Sequence, residues 1–172
     1  DMPKAKNGKN IVVIGGGTGT SVVLEGLKKY HVNLSAIITT ADDGSSSGKV
    51  TSDYGLIPPG DIRQCLVALA SRDFGFLNKR FSQGFLRGHT LGNILMTLFY
   101  QENKNFQQSL DDLLRVTGAQ GSLAPMTLRP TTLIAKLKDG RTLYGEKSIT
   151  QSKEIAENLH GIYLRPASPK AN

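Results

Sequence analysis

The feature that most constrains the fold is NIVVIGGGTGT, residues 10–20. Its apolar run, IVVI, is typical of a parallel strand that is buried on both faces. Glycines follow, and SVVLEGLKKY then places Val23, Leu27 and Tyr30 at helical spacing before a second β-branched strand at residues 33–40. Because strand, helix and strand follow each other within about 30 residues, the pattern predicts a βαβ unit with a right-handed crossover.

Three helical patterns and a hairpin pattern complete the predicted fold. The helical patterns begin after Gly60, at GHTLGNILMTLFYQ and at NFQQSLDDLLRVTG. Alternation around the Asp-Gly pair of KLKDGRTL predicts a β-hairpin within a subregion at residues 122–150, and GIYLRP predicts a further short strand. We therefore predict one Rossmann-like domain over residues 11–172, preceded by a flexible lead-in at residues 1–10. Its sheet is doubly wound and mainly parallel, with helices on both faces and the hairpin added.

Composition narrows the class of protein. Cys65 is the single cysteine, so an internal disulfide is excluded, and no apolar run approaches the roughly 20 residues of a membrane span. We therefore expect a cytoplasmic protein. The net charge is +7, but the 21 Lys and Arg residues are scattered, whereas a nucleic-acid-binding face concentrates them in a patch. A small anionic ligand is the expected partner, rather than nucleic acid or a membrane, and the sequence leaves homo-oligomer formation open.

The glycine turn is the first candidate site. Glycines after a buried strand let a phosphate or a sugar approach the backbone, and the next helix presents the positive end of its dipole. The turn lacks a P-loop ending, and Thr20 stands where a dinucleotide fingerprint has its third glycine. A turn with glycines for packing alone is the structural alternative. The candidate ligand-binding residues here are Gly15, Gly16, Gly17, Thr18, Gly19 and Thr20.

Two neighbouring carboxylates, Asp42 and Asp43, follow the second predicted strand. Ligands bind at the carboxyl ends of strands in open α/β sheets, where an acid can hold a ribose diol. The pair could instead share Mg²⁺ with a diphosphate, or form a solvated turn that caps Gly44. No third oxygen ligand stands at a recognisable spacing, which favours the ribose role. The predicted ligand-binding loop also includes Gly44, Ser45 and Ser46.

The motif IPPGDIR predicts a second ligand contact at the start of a helix. Its prolines stiffen the chain, Gly60 permits the turn, and Asp61 can cap the helix that follows. Arg63 then falls in the first helical turn, where a cation opposes the helix dipole unless an anion is near. This placement favours a ligand phosphate or carboxylate as its partner over a surface position.

The motif GHTLGN places polar side chains at the start of another predicted helix. Thr90 and Asn93 are candidates for polar ligand contact, and His89 is a candidate ligand residue that could also act as a general base. A lone histidine more often caps or packs, and no Ser/His/Asp order or metal-ligand spacing accompanies it. The sequence therefore leaves the catalytic residues unassigned.

In their order, these motifs resemble the YvcK-type gluconeogenesis factors of the CofD-like (2-phospho-L-lactate transferase-like) family. The matching stretches are GGGTG, ADDG, PPGDIR, GHTLGN and the hairpin around KDGR. The resemblance implies a Rossmann-like fold and a cytoplasmic protein that binds UDP-N-acetylglucosamine, another UDP-sugar, or a dinucleotide such as NAD. It also implies a role in carbon metabolism and in cell-shape maintenance on gluconeogenic carbon sources.

The transferase branch of this family is the alternative that the resemblance implies. Its members join a phospholactyl group from a nucleotide-diphospho donor to a deazaflavin precursor, with a metal such as Mg²⁺ held by an Asp. The stretch PPGDIRQCL departs from that branch, so we expect a regulator without turnover of its own. Family members also run on past the stretch RPASPKAN, and we expect the C-terminal part of the family fold to be absent from these 172 residues.

Overall fold

The computed structural model describes residues 8–41 and 45–172, and within them the chain forms two three-stranded sheets. The first sheet is parallel, in the order β1-β2-β3, and the second is antiparallel, in the order β5-β4-β6. Their strands are β1 (Lys9–Gly15), β2 (Val32–Ile38), β3 (Ser122–Pro125), β4 (Thr132–Leu137), β5 (Thr142–Tyr144) and β6 (Leu159–Arg165).

Helices connect and flank these strands. They are α1 (Gly17–Leu27), α2 (Ser45–Tyr54), α3 (Gly60–Leu69), α4 (Leu91–Asn103), α5 (Phe106–Val116), α6 (Glu146–Gln151) and α7 (Ile155–Asn158), with a 3₁₀ turn at Gly75–Asn78. Across the part of the chain described, none of the helices has the length and apolar character that crossing a membrane requires.

The predicted βαβ unit is confirmed. β1 and β2 pair in parallel, with Gly15 opposite Ile38, and α1 lies between them in the chain. α2 to α5 precede β3, which pairs in parallel with the other edge of β2. The molecule is therefore a mixed α/β fold in which helices flank a parallel sheet.

One apolar cluster holds the sheet and the helices together. β2 contributes Leu34, Ala36 and Ile38, and α1 and α3 contribute Leu24 and Leu66, all of them buried. Leu110 and Leu113 of α5 join the same cluster. Alternate residues of β2 thus face one core, as the period of a strand requires.

The prediction that β1 is buried on both faces is wrong. Val12 and Ile14 point away from the core and are 56% and 66% exposed, because within the described residues no layer covers this face of β1. Among the described strands, β1 is also an edge strand, which pairs with β2 alone. The predicted apolar face of α1 is also shifted: Val23 and Tyr30 are exposed, and Leu24 is the residue that packs inward. An unbroken apolar run cannot by itself show which of its faces will be covered.

Two further predicted boundaries change. Ser45 and Ser46, predicted to lie in the ligand-binding loop, begin α2, whose sparse apolar content hides a helical period. The predicted hairpin subregion at 122–150 divides, because β3 joins the parallel sheet while β4 and β5 form the hairpin. The short strand predicted at GIYLRP is confirmed as part of β6.

Candidate functional site

The glycine turn lies between the end of β1 and the start of α1. Gly16 is the N-cap residue of α1, and because it has no side chain it does not cap the first N–H groups of the helix. Gly17 has a φ of 66°, a left-handed conformation that favours glycine. Helix N-termini attract negative charge, since their first N–H groups have no partner within the helix. The turn therefore has the backbone shape and the polarity of an anion or ligand site.

Thr39 and Asp61 crowd this turn from the neighbouring elements. A Cβ atom on Gly16 would lie 2.1 Å from Thr39 Oγ1 and 2.5 Å from Asp61 Oδ2, and one on Gly17 would lie 3.4 Å from Asp61 Oδ1. Thr39 follows β2 directly, and its hydroxyl lies 3.5 Å from Asp61 Oδ2. A side chain at position 16 would force the Thr39 hydroxyl and the Asp61 carboxylate to move, because these two groups occupy the space that it would take.

The threonines of the turn divide between surface and interior. Thr18 is exposed, and its hydroxyl donates to Gln64 Oε1 at 3.3 Å, which ties the start of α1 to α3. The Thr20 side chain is buried and turns back on the loop, with its hydroxyl 3.3 Å from the Gly16 carbonyl oxygen. Thr20 thus supports the turn from within, and ligand contact by either threonine stays a prediction.

Arg63 is buried at the junction of α3 and α4, with 6% of its surface exposed. Its Nε donates to Asn78 Oδ1 at 2.9 Å, and its Nη1 donates to Thr90 Oγ1 at 2.7 Å and to Asn93 Oδ1 at 2.9 Å. A Cβ atom on Gly92 would lie 2.7 Å from Arg63 Cδ, so this glycine makes room for the arginine stem.

The structure therefore brings three predicted ligand residues together, but they face one another. Thr90 is the N-cap of α4, and its hydroxyl oxygen also accepts a hydrogen bond from the Asn93 backbone amide at 3.2 Å. These three side chains join two helix starts inside the protein, so the surface position that was the alternative for Arg63 is wrong. His89 is half-buried, and its backbone pairs with Phe81 and Leu86. Ligand contact by these four residues stays a prediction.

Cys65 is a poor nucleophile. Burial raises the pKa of its thiol to about 12, and the nearby Asp61 carboxylate adds to the rise. The thiolate is the reactive form of cysteine, so this side chain stays protonated at neutral pH. Its position in α3 gives it a packing role in the core.

A cavity of about 370 Å³ in the described part of the chain lies to one side of the glycine turn. It is a groove between α1, α3 and residues 72–78, and charged side chains of both signs line it: Glu25, Lys28, Arg72 and Asp73. Lys28 Nζ also donates to the Ala70 carbonyl oxygen at 3.0 Å, at the end of α3. Two acids and two cations give this groove no net charge, so it lacks the excess positive charge that would attract an anionic ligand.

Some predicted site residues lie outside the described part of the molecule. They are Asp42, Asp43 and Gly44, together with the side chains of Ser45 and Ser46, which begin α2. Among the residues that are described, no group of three or more His, Cys, Asp and Glu side chains could hold a metal ion.

Sequence reasoning did not include Thr39 or Gln64 among the site residues. Thr39 could have been found from its place directly after β2, because the end of β2 lies beside the glycine turn. Gly15 is paired with Ile38, and the Gly15 carbonyl oxygen accepts a hydrogen bond from the Thr39 backbone amide at 2.9 Å. Gln64 gave no comparable signal, since its contact with Thr18 depends on how α1 packs on α3.

Comparison with known proteins places these features in a family. Residues 11–172 match the model of the family described as 2-phospho-L-lactate transferase CofD. The chain is 37% identical over 171 residues to a Listeria monocytogenes protein named gluconeogenesis factor, covering 97% of this chain and 52% of that protein. It is 36% identical over 167 residues to the gluconeogenesis factor of Halalkalibacterium halodurans, covering 94% of this chain and 51% of that protein.

A solved structure agrees with the fold. The crystal structure of protein BH3568 from Bacillus halodurans superposes with a TM-score of 0.88 at 36% sequence identity. The superposition covers 96% of this chain and 54% of that one. The chain thus spans about half the length of these three relatives.

Proposed function

This chain belongs to the 2-phospho-L-lactate transferase CofD family, in its gluconeogenesis-factor branch, and we propose that it binds a nucleotide as a regulator of central carbon metabolism. The proposed ligands are a UDP-sugar, such as UDP-N-acetylglucosamine, or NAD. The proposed setting is the cytoplasm of a cell growing on gluconeogenic carbon sources, where the protein also supports cell shape.

The observation that carries this proposal is the glycine turn at the carboxyl ends of β1 and β2. Ligands of open α/β sheets bind at this edge, and here Thr39 and Asp61 add polar oxygens beside the turn. The cysteine of α3 is a buried, protonated thiol, so it does not serve as a nucleophile beside the turn. Recognition without turnover is the function that this chemistry supports best.

Isothermal titration calorimetry with UDP-N-acetylglucosamine and with NAD tests the proposal. We expect one of the two to bind with a measurable heat. Phosphorus NMR of the bound nucleotide should show no new phosphate product over hours. A folded protein that binds neither nucleotide would contradict the proposal.

The glycine at position 16 gives a sharper test. Gly16→Ala should weaken nucleotide binding about tenfold or more, because its Cβ would have to displace Thr39 Oγ1 or Asp61 Oδ2. Gly26→Ala is the matched control: it lies in α1, the helix that Gly16 precedes, and a Cβ there meets nothing within 4 Å. The control should keep its affinity and gain roughly 0.5–1 kcal/mol of stability from helix propensity. Equal affinities for both variants would remove the turn from the site.

A second candidate function is the transfer of a phosphorus-containing group, since the family is described by a transferase. Its basis in the chain is the Asp42-Asp43 pair, which follows β2 and lies outside the described residues. Such a pair would need Mg²⁺. Turnover of a guanylyl-diphospholactate donor that requires Mg²⁺ and stops with EDTA would favour this candidate, whereas nucleotide binding that is unchanged by EDTA favours the regulator.

A further inference from the structure

The carboxylate of Asp61 lies at the starts of two helices at once. It belongs to the first turn of α3, and its oxygens approach Gly16 and Gly17 where α1 begins. The positive ends of both helix dipoles favour a negative group at this point. In a turn that binds phosphate, the ligand supplies that negative group, but here a side chain of the protein already lies there.

We infer that Asp61 makes the glycine turn select the hydroxyl-bearing part of the nucleotide, its ribose or sugar diol, and exclude the phosphate. This inference rests on the proposed nucleotide binding and names which part of the ligand the turn takes. An ionised carboxylate accepts hydrogen bonds and cannot donate them, so hydroxyl groups suit it and phosphate oxygens do not.

Access and surroundings agree with this assignment. Asp61 and Thr39 are both half-buried, so each keeps part of its surface open beside the turn while the surrounding packing limits its motion. The Thr39 hydroxyl donates to Asp61 Oδ2 at 3.5 Å, and its lone pairs can accept from a second hydroxyl of a diol. A phosphate at the same place would meet like charge from Asp61 at contact distance, where repulsion is strongest.

Amide NMR on the isotopically labelled protein tests the inference. Adenosine and uridine serve as hydroxyl-bearing probes, and inorganic pyrophosphate serves as the anionic probe. In the wild type, we expect one of the nucleosides to move the amide signals of Gly16 and Gly17, and pyrophosphate to leave both signals in place. This result requires no variant, so it stands even if a substitution at Asp61 prevents folding.

The variant Asp61→Asn keeps the shape of the side chain and removes its charge. We expect pyrophosphate to gain affinity about tenfold at these amides and the nucleoside to lose roughly tenfold, because the charge-assisted hydrogen bonds are lost. Asp53→Asn is the matched control, since it removes the same charge from an exposed position on α2. The control should leave both affinities unchanged.

The outcomes separate the two proposals. If calorimetry shows nucleotide binding but pyrophosphate moves the Gly16 and Gly17 signals of the wild type as strongly as those of Asp61→Asn, the inference is overturned and nucleotide binding survives. The same holds if the ratio of nucleoside to pyrophosphate affinity does not fall in the variant. If the folded wild type binds no nucleotide or nucleoside at all, the proposed function itself fails.

Discussion

At the scale of single residues, Arg63 is the clearest case of a side chain with three precise partners. Arg63→Lys keeps the charge but loses the planar fork that reaches Asn78, Thr90 and Asn93 together. We expect the free energy of unfolding in urea to fall by about 2 kcal/mol, the scale of buried hydrogen bonds to a charged group. Arg87→Lys, at an exposed position, is the control and should change it by less than about 0.5 kcal/mol. Equal unfolding midpoints for the two variants would argue against a structural role for Arg63.

The sequence predicts the residues of the candidate site better than it predicts their partners. The glycines at 16 and 17 stand out because few other residues fit a strand-to-helix turn of this shape. The burial of Arg63 could not be predicted from the sequence, since arginine is rarely buried and its partners come from two later segments of the chain. The approach of Asp61 to the turn likewise depends on tertiary packing, which no local pattern records.

At the scale of elements, ion pairs of Arg141 with Asp139 and Glu154 connect the turn of the β4–β5 hairpin to the residue before α7. Arg141 donates to Asp139 Oδ2 at 2.8 Å within the turn and pairs with Glu154, the residue before α7. The hydrogen bond from the Arg141 side chain is the main cause that holds the pKa of Asp139 below its usual value. A lowered folded pKa means that any stabilisation is present above the unfolded pKa and is lost as pH falls through the folded value.

Arg141→Ala should therefore raise the pKa of Asp139 back toward its usual range. Carbon NMR of the Asp139 carboxyl group during an acid titration measures this directly. Because Asp139 and Arg141 are exposed, we expect almost no change in the urea midpoint at neutral pH. Lys138→Ala, next to the same turn, is the control and should leave the titration of Asp139 nearly unchanged. If the titration midpoint of Asp139 does not move in Arg141→Ala, the ion pair between Asp139 and Arg141 is contradicted.

The elements that the sequence predicts well are those with a full apolar period and clear end signals. α4 and α5 begin at side-chain caps, Thr90 and Asn105, and the Asp-Gly pair marks the hairpin turn. α2 was missed because Ser, Gly and Lys dominate it and leave no apolar stripe to recognise. The position of β1 at an edge could not be predicted, since the order of strands is decided by contacts far apart in the chain.

At the scale of the whole molecule, the parallel sheet has one face in the core and a second face that is open at β1. Ile14 and Ile38 lie on neighbouring strands of this sheet, and they differ in exposure from 66% to 0%. Ile38→Ala should lower the free energy of unfolding by roughly 2–5 kcal/mol, through lost burial and a cavity. Ile14→Ala should lower it by about 1 kcal/mol or less, the scale of strand propensity.

Urea denaturation of both variants beside the wild type makes the comparison at constant chemistry, because each substitution removes the same atoms. The ratio of the two losses then reports which side of the sheet the core occupies. Comparable losses at the two positions would mean that the face with Val12 and Ile14 is covered in solution, either by another copy of the chain or by a rearranged segment. A concentration-dependent midpoint for the wild type, lost in Ile14→Ala, would identify the cover as a second copy. We expect no concentration dependence of the wild-type midpoint, and we expect a large loss of unfolding free energy only for Ile38→Ala.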